Sequence, residues 1–86
     1  MPPRVVKRVT IAYAGKPNAK RDESFIRLVG KFDGAFSGSA FDLVMQERDL
    51  EAKFVSLPSD LEKKLRAELK RFGFNDIEVR TITVHN

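Results

Sequence analysis

Cysteine is absent from this 86-residue sequence, and its single histidine is His85. Without cysteine there can be neither a disulfide bond nor a thiolate metal site, and nothing points to an oxidising compartment. His85 lies beside the C-terminus, where chains are usually poorly ordered, which argues against a catalytic or ligand role. We therefore expect no metal site and no cofactor.

Long apolar runs are also missing from the sequence. None approaches the roughly 20 residues that a membrane-spanning helix needs. The opening residues, Met-Pro-Pro-Arg, lack the apolar segment of a secretory signal. We expect a cytoplasmic protein that does not engage membranes. The length and a hydrophobic content of 42% suit a single α+β domain over residues 1–86 with one core.

No recognisable catalytic motif is present. The 12 acidic residues are scattered among 16 basic ones, with no spacing typical of two carboxylates that share a cleft. The loop at residues 15–20 contains a glycine and two lysines, but it lacks the Gly-x-x-x-x-Gly-Lys-Ser/Thr pattern that cradles a nucleotide phosphate. A small phosphate-handling enzyme is therefore the least favoured function, and we assign no catalytic residue.

The clearest secondary-structure pattern lies in the second half of the chain. Ser59 and Glu62 have the spacing of a capping box, which predicts the start of a helix. Apolar residues at helical spacing predict its inward face: Leu61, Leu65, Leu69 and Phe72. Gly73 predicts that the helix ends at a residue in the left-handed backbone conformation, with Phe74 making the hydrophobic contact that accompanies such an ending. Residues 77–84 alternate in polarity and are rich in β-branched side chains, which predicts a strand.

The first half shows similar patterns. Alternation from Val5 to Ala14 predicts a half-buried strand, and apolar residues between 25 and 32 at helical spacing predict a helix of about three turns. Residues 40–46 and 50–57 predict two strands joined by a hairpin loop at 47–49. We interpret the small residues at 34–39 as the approach to the first of these strands.

The resulting order, β-α-β-β-α-β, is that of the ferredoxin-like α+β fold. Its four-stranded antiparallel sheet has the order 4-1-3-2, and two right-handed crossovers place both helices on one face. A helix-on-sheet layer with different connectivity remains the alternative.

Basic residues dominate the start of the chain, and the net charge is +4 with an isoelectric point near 9.7. In the predicted topology, the loop after the first strand and the end of the second helix share one end of the sheet. This places five residues together in what we call the basic cluster: Lys16, Lys20, Arg21, Lys70 and Arg71. Such a cluster can bind nucleic-acid phosphates weakly and without sequence preference. The alternative is a solvated surface that favours solubility.

Base stacking is not expected on the sheet. Residue parity turns Tyr13 and Phe54 toward the helices, so the open face has no aromatic platform of the kind that RNA-binding sheets use.

The fourth strand suggests self-association. It is predicted at the sheet edge with Arg80 as its one positive charge, whereas exposed edges are usually guarded more heavily. Ile82 and Val84 have the opposite parity to Val79 and would join Ala12, Val44 and Val55 in an apolar patch on the open face. A bulge near Thr81 would instead return them to the core.

We therefore predict a non-enzymatic binding module that forms a homodimer through its sheet edge or its open sheet face. The residues assigned to this association are Val79, Thr81, Ile82 and Val84. A different protein partner and weak nucleic-acid binding are the alternatives.

Overall fold

Six elements follow one another in the order β-α-β-β-α-β. The structure is a computed structural model that describes residues 4–84, with only the backbone described at Val84. The elements are β1 (Arg4–Ala14), α1 (Ala19–Lys31), β2 (Ala35–Asp42), β3 (Glu47–Phe54), α2 (Ser59–Arg71) and β4 (Asp76–Val84). All strand pairs are antiparallel in one sheet of order β2-β3-β1-β4, which is the predicted order read from the other side. The predicted ferredoxin-like fold is confirmed.

The core lies between one face of the sheet and both helices. Alternation in β1 turns Val9 and Ile11 to that face, where they oppose Ala52 and Leu50 of β3. These side chains form a single buried cluster with residues of both helices: Phe25, Leu28, Val29, Leu65 and Leu69. Both helices therefore cover the same face, and no element of the described residues 4–84 covers the opposite face, which we call the open face. Tyr13 and Phe54 lie in the buried cluster, as their parity predicts.

The end of α2 has the predicted Schellman geometry. Gly73 has a φ of 90°, the Phe74 N–H donates to the Leu69 carbonyl at 3.0 Å, and the Gly73 N–H donates to the Lys70 carbonyl. Phe74 is fully buried. Helical spacing predicted that Phe72 belongs to the inward face of α2. This prediction is wrong, because Phe72 is the C-cap residue and remains 49% exposed.

The start of α2 differs from the predicted capping box. Pro58 is the N-cap residue, and among the described residues no side-chain hydrogen bond caps the first turn. The Glu62 carboxylate instead accepts a 2.9 Å hydrogen bond from Lys7 of β1 and lies 3.5 Å from Arg66. The capping-box prediction is therefore wrong, because an ion pair to the sheet takes the carboxylate that the box requires.

The β2–β3 hairpin lies four residues earlier than predicted. Its turn comprises residues 43–46 and not residues 47–49, because the Asp42 carboxylate accepts hydrogen bonds from the N–H groups of Val44 and Met45 at 2.9 and 3.0 Å. Gln46 completes the reversal with a φ of 52°. Consequently Val44 lies in the turn rather than on the sheet, residues 35–39 are part of β2, and Val55 follows the end of β3.

Candidate interaction surface: the open face of the sheet

The open face is built from every second residue of β1 and the residues that oppose them. In an antiparallel pair, residues directly opposite one another point to the same side of the sheet. Val9 and Ile11 point to the core, so Arg8, Thr10 and Ala12 point away from it. The strand registers then extend these three positions into rows that run across β3, β1 and β4.

Charges on these rows are separated by sign. Arg8 lies opposite Lys53 on one side and Arg80 on the other, and we call this set the basic row. The next two rows are negative: Glu51, Thr10 and Glu78 form the first acidic row, and Asp49, Ala12 and Asp76 form the second. Ala14 and Glu47 continue the acidic half.

The basic row places like charges directly opposite one another, which is unfavourable across neighbouring strands. Two contacts partly offset the charge on the basic row and on the first acidic row. Arg80 forms an ion pair with Glu78, and Glu51 accepts a 3.0 Å hydrogen bond from the Ser37 hydroxyl. Both contacts are exposed, so much of this charge faces water.

The acidic half is concave because Thr10 and Ala12 are small. A shallow cleft of about 410 Å³ extends across β1 to both neighbouring strands and is lined by Glu47 and Asp49 of β3 and by Asp76 and Glu78 of β4. A second of about 370 Å³ lies between Thr10 and β2 and contains Glu51. In the described part of the chain, no group of three histidine or carboxylate side chains is placed to share a metal ion.

The other end of the open face is apolar. Val6 is only 8% exposed although it points away from the helices, and Ile82 lies opposite it. The β1–β4 register runs without interruption from Arg4↔Val84 to Ala12↔Asp76, so there is no bulge at Thr81. Ile82 therefore belongs to the open face, as its parity predicted.

The other residues assigned to self-association are distributed over both sides of β4. Val79 packs against the core, and Thr81 shares its parity opposite Lys7. The backbone of Val84 pairs with Arg4, and its side chain lies outside the described residues. β4 is an edge strand, as predicted.

The basic cluster is brought to one end of the domain, but its members differ in what they contact. Arg21 places its guanidinium 4.7 Å from the ring centre of Tyr13 and 5.1 Å from that of Phe74, and donates to the Gly73 carbonyl at 3.0 Å. Arg71 lies 3.6 Å from Glu68. The remaining three are exposed: Lys16, Lys20 and Lys70. Arg21 thus joins the two helices, and phosphate binding by the cluster stays a prediction.

A polar network at the same end was missed from the sequence. The Tyr13 hydroxyl donates to Asp22 at 2.7 Å and accepts from the Asn18 N–H at 2.8 Å, while Arg48 donates to the other Asp22 oxygen at 2.9 Å. Burial is the main reason that the pKa of Tyr13 is raised. Burial also acts to raise the pKa of Asp22, but the hydrogen bonds from Arg48 and Tyr13 outweigh it and lower that pKa.

One sequence signal could have revealed this network. Tyr13 has core parity beside a turn, and a buried tyrosine hydroxyl needs a hydrogen-bond partner.

The network and the Lys7–Glu62 pair predict a loss of stability in acid. Bonding to Lys7 lowers the pKa of Glu62, as bonding to Arg48 and Tyr13 lowers that of Asp22. A carboxyl with a depressed folded pKa stabilises the fold above its ordinary value, which is 4.5 for Glu62 and 3.8 for Asp22. That contribution is lost as the pH falls through the depressed values. Urea denaturation between pH 7 and pH 2 measures it.

An Asp22→Asn variant should lose less stability than the unmodified protein over the same acid range. The matched control is Glu23→Gln, whose carboxylate pairs with Arg27 on the exposed face of α1. If Asp22→Asn and Glu23→Gln showed the same acid dependence as the unmodified chain, the network would not stabilise the fold.

No helix in the described residues has the length and apolar content needed to cross a bilayer. No protein-family model matches the chain, and no curated protein is significantly similar to it in sequence.

Proposed function

We propose that the chain is a non-enzymatic binding module that self-associates through the open face of its sheet. The observation that supports this function is the separation of charge on that face, with the basic row adjoining two acidic rows. Solvated protein surfaces usually intersperse positive and negative side chains. A face divided by sign is instead complementary to a surface divided in the opposite sense.

The cross-strand geometry adds a physical reason for association. Arg8 lies directly opposite both Lys53 and Arg80, so the isolated domain holds like charges close together on neighbouring strands. A partner of opposite charge lowers this repulsion when it covers the rows. The side chains that repel one another in the isolated domain therefore favour association through the open face.

The sheet edge is the competing surface for self-association. β4 is nine residues long with an uninterrupted register, which suits pairing with another strand. However, it carries Asp76, Glu78 and Arg80 along its length, and charges of this kind guard an edge. We therefore place the interface on the open face.

Nucleic-acid binding is less well supported. Arg21 and Arg71 of the basic cluster already contact protein groups, which leaves the exposed lysines as the available cations. The acidic rows would repel a phosphate backbone from the sheet. Any affinity for nucleic acid should accordingly be weak and salt-dependent.

A single engineered cysteine tests the proposed interface, because the chain has none of its own. Thr10→Cys places a thiol at the centre of the open face without changing the charge. We expect its reaction with a maleimide to slow as protein concentration rises, in parallel with dimer formation measured by sedimentation equilibrium. Raising the ionic strength from about 0.01 M to about 1 M shortens the Debye length from roughly 30 to 3 Å and should restore fast labelling.

Lys63→Cys on the exposed side of α2 is the matched control and should react at the same rate at every concentration. A sheet-edge dimer would leave Thr10→Cys as reactive as this control while sedimentation still showed a dimer. A protein that sediments as a monomer at millimolar concentration would contradict self-association altogether.

A further inference from the structure

We infer that the partner on the open face is a second copy of this chain, turned so that the two β1 strands run antiparallel with the basic row of each copy over the first acidic row of the other. This arrangement rests on the self-association proposed above. It goes further by specifying the orientation, the charge pairs and a second, apolar contact.

The charge pattern selects one symmetry axis among the simple choices. A two-fold axis parallel to the strands would place the basic row over the basic row of the other copy, which like-charge repulsion disfavours. A two-fold axis normal to the sheet would leave both open faces in water. An axis that runs across the strands reverses their direction and exchanges the basic and acidic halves. Among these three, only the third axis places the basic row of each copy over an acidic row of the other.

The row positions fix where the axis crosses β1. The sign of the charge changes between Arg8 and Thr10, so the axis lies near Val9. Because such a rotation keeps β3 over β3 and β4 over β4, Lys53 lies over Glu51 of the second copy and Arg80 lies over its Glu78. Each pair occurs twice, as a two-fold interface requires.

Shape agrees with this register. The same rotation sets the row of Val6 and Ile82 over the second acidic row, where the small Ala12 leaves the face concave. The larger side chains of Val6 and Ile82 thus lie over the concave half of the open face of the other copy.

The hairpin turn provides an independent observation. Leu43, Val44 and Met45 are consecutive and 78%, 90% and 72% exposed, although the Asp42 carboxylate bonds hold them in a defined turn. Val55, just past the other end of β3, is 71% exposed. The inferred rotation exchanges the two ends of β3, so the turn of each copy points toward residues 55–58 of the other. Both exposed apolar features thereby gain a partner.

The contact area indicates a weak dimer. Four strands about 4.8 Å apart, each with eight to eleven residues rising about 3.3 Å, give a face of roughly 500–700 Å². Stable complexes bury about 800 Å² on each partner, so association should be transient and sensitive to salt.

Charge reversal tests the orientation. The basic-row variant carries Arg8→Glu, Lys53→Glu and Arg80→Glu, and the acidic-row variant carries Glu51→Lys and Glu78→Lys. Each variant alone has one sign of charge on most of both rows, so we expect its dimer Kd to rise at least about tenfold. Mixed together at equal concentration, the two variants should form a heterodimer, because both row contacts then join opposite charges.

A variant with all five substitutions should self-associate again, since it exchanges the signs of the two rows within one chain. Sedimentation velocity measures all four proteins and the mixture, and thermal unfolding confirms that each is folded. If a self-associating unmodified protein and its variants all had the same dimer Kd, the inferred orientation would be wrong while the proposed self-association stood. A monomeric unmodified protein would overturn both.

The apolar contact has its own test. Val44→Ser and Val55→Ser should each weaken the dimer by severalfold without lowering the melting temperature, since both side chains are exposed in the single copy. Ile26→Ser, at an exposed position on α1 away from the sheet, is the matched control and should not change the Kd. Equal dimer affinity for all three variants would rule out the contact between the turn and residues 55–58.

Discussion

Replacing Gly34 by alanine is expected to destabilise the domain by about 1–3 kcal/mol or more, because the added methyl group would overlap a buried aromatic ring. A β-carbon at position 34 would lie 2.6 Å from Cζ and 2.7 Å from Cδ2 of Phe54, and closer still to Cε2. Phe54 is fully buried, so its ring cannot move without displacing other core side chains. The backbone is held as well, since the Gly34 N–H donates to the Val29 carbonyl at 2.8 Å. Urea denaturation gives the difference in unfolding free energy.

Gly30→Ala is the matched control for the loss of glycine. A β-carbon at Gly30 would meet no atom within 4 Å, and the residue lies inside α1. Alanine should therefore stabilise the protein there by up to about 1 kcal/mol. A double variant with Phe54→Leu should show a smaller additional cost for Gly34→Ala than the single variant does. Additive costs would show that the ring is not the obstacle.

Truncating Leu65 to alanine should cost roughly 2–5 kcal/mol, because it removes a buried side chain from the middle of the inward face of α2. Neighbouring residues cannot refill the space fully, since both helices and the sheet already pack against it. The same denaturation experiment measures the effect.

Ser59→Ala should cost less than about 0.5 kcal/mol, because no side chain caps the first turn of α2. Phe72→Ala should also cost less than Leu65→Ala, since Phe72 is half-exposed at the helix end. A loss for Leu65→Ala that did not exceed the loss for Ser59→Ala would mean that α2 is turned differently on the sheet.

The fold could be predicted from the sequence where a segment carries its own pattern. β1 alternates from Arg8 to Tyr13, and α2 repeats its leucines and is followed by a glycine, so both were predicted without reference to the rest of the chain. The hairpin was misplaced because Leu43, Val44 and Met45 have the composition of a strand. A single side chain, Asp42, converts that segment into a turn by accepting two N–H groups. Secondary-structure propensity alone cannot show whether these N–H groups bond to a neighbouring strand or to the Asp42 side chain.

The capping box at the start of α2 was predicted wrongly for a related reason. Ser59 and Glu62 satisfy the local rule, but Glu62 pairs with Lys7, which is 55 residues away in the chain. Local spacing carries no information about such a contact.

The open face could be predicted only in part. Parity alone assigned Arg8, Thr10 and Ala12 to one side of the sheet. The basic row also needs Lys53 and Arg80 to lie beside Arg8, and that depends on the registers of two separate strand pairs. A one-residue shift in either register would move every side chain of the strand to the other face. The separation of charge therefore emerges only once both registers are known.

The central position of β1 has a consequence for how the chain acquires its structure. Both neighbours of β1 come later in the sequence, and its pairing with β4 spans from Arg4 to Val84. During synthesis β1 stays without a hydrogen-bonded neighbour until β3 is made, and its other side stays unpaired until β4 is made. Contacts between distant segments slow the search for the native state. An apolar strand exposed for that long is also open to wrong pairing. The charged side chains of Arg4, Lys7 and Arg8 favour hydration of the first half of β1 until it pairs.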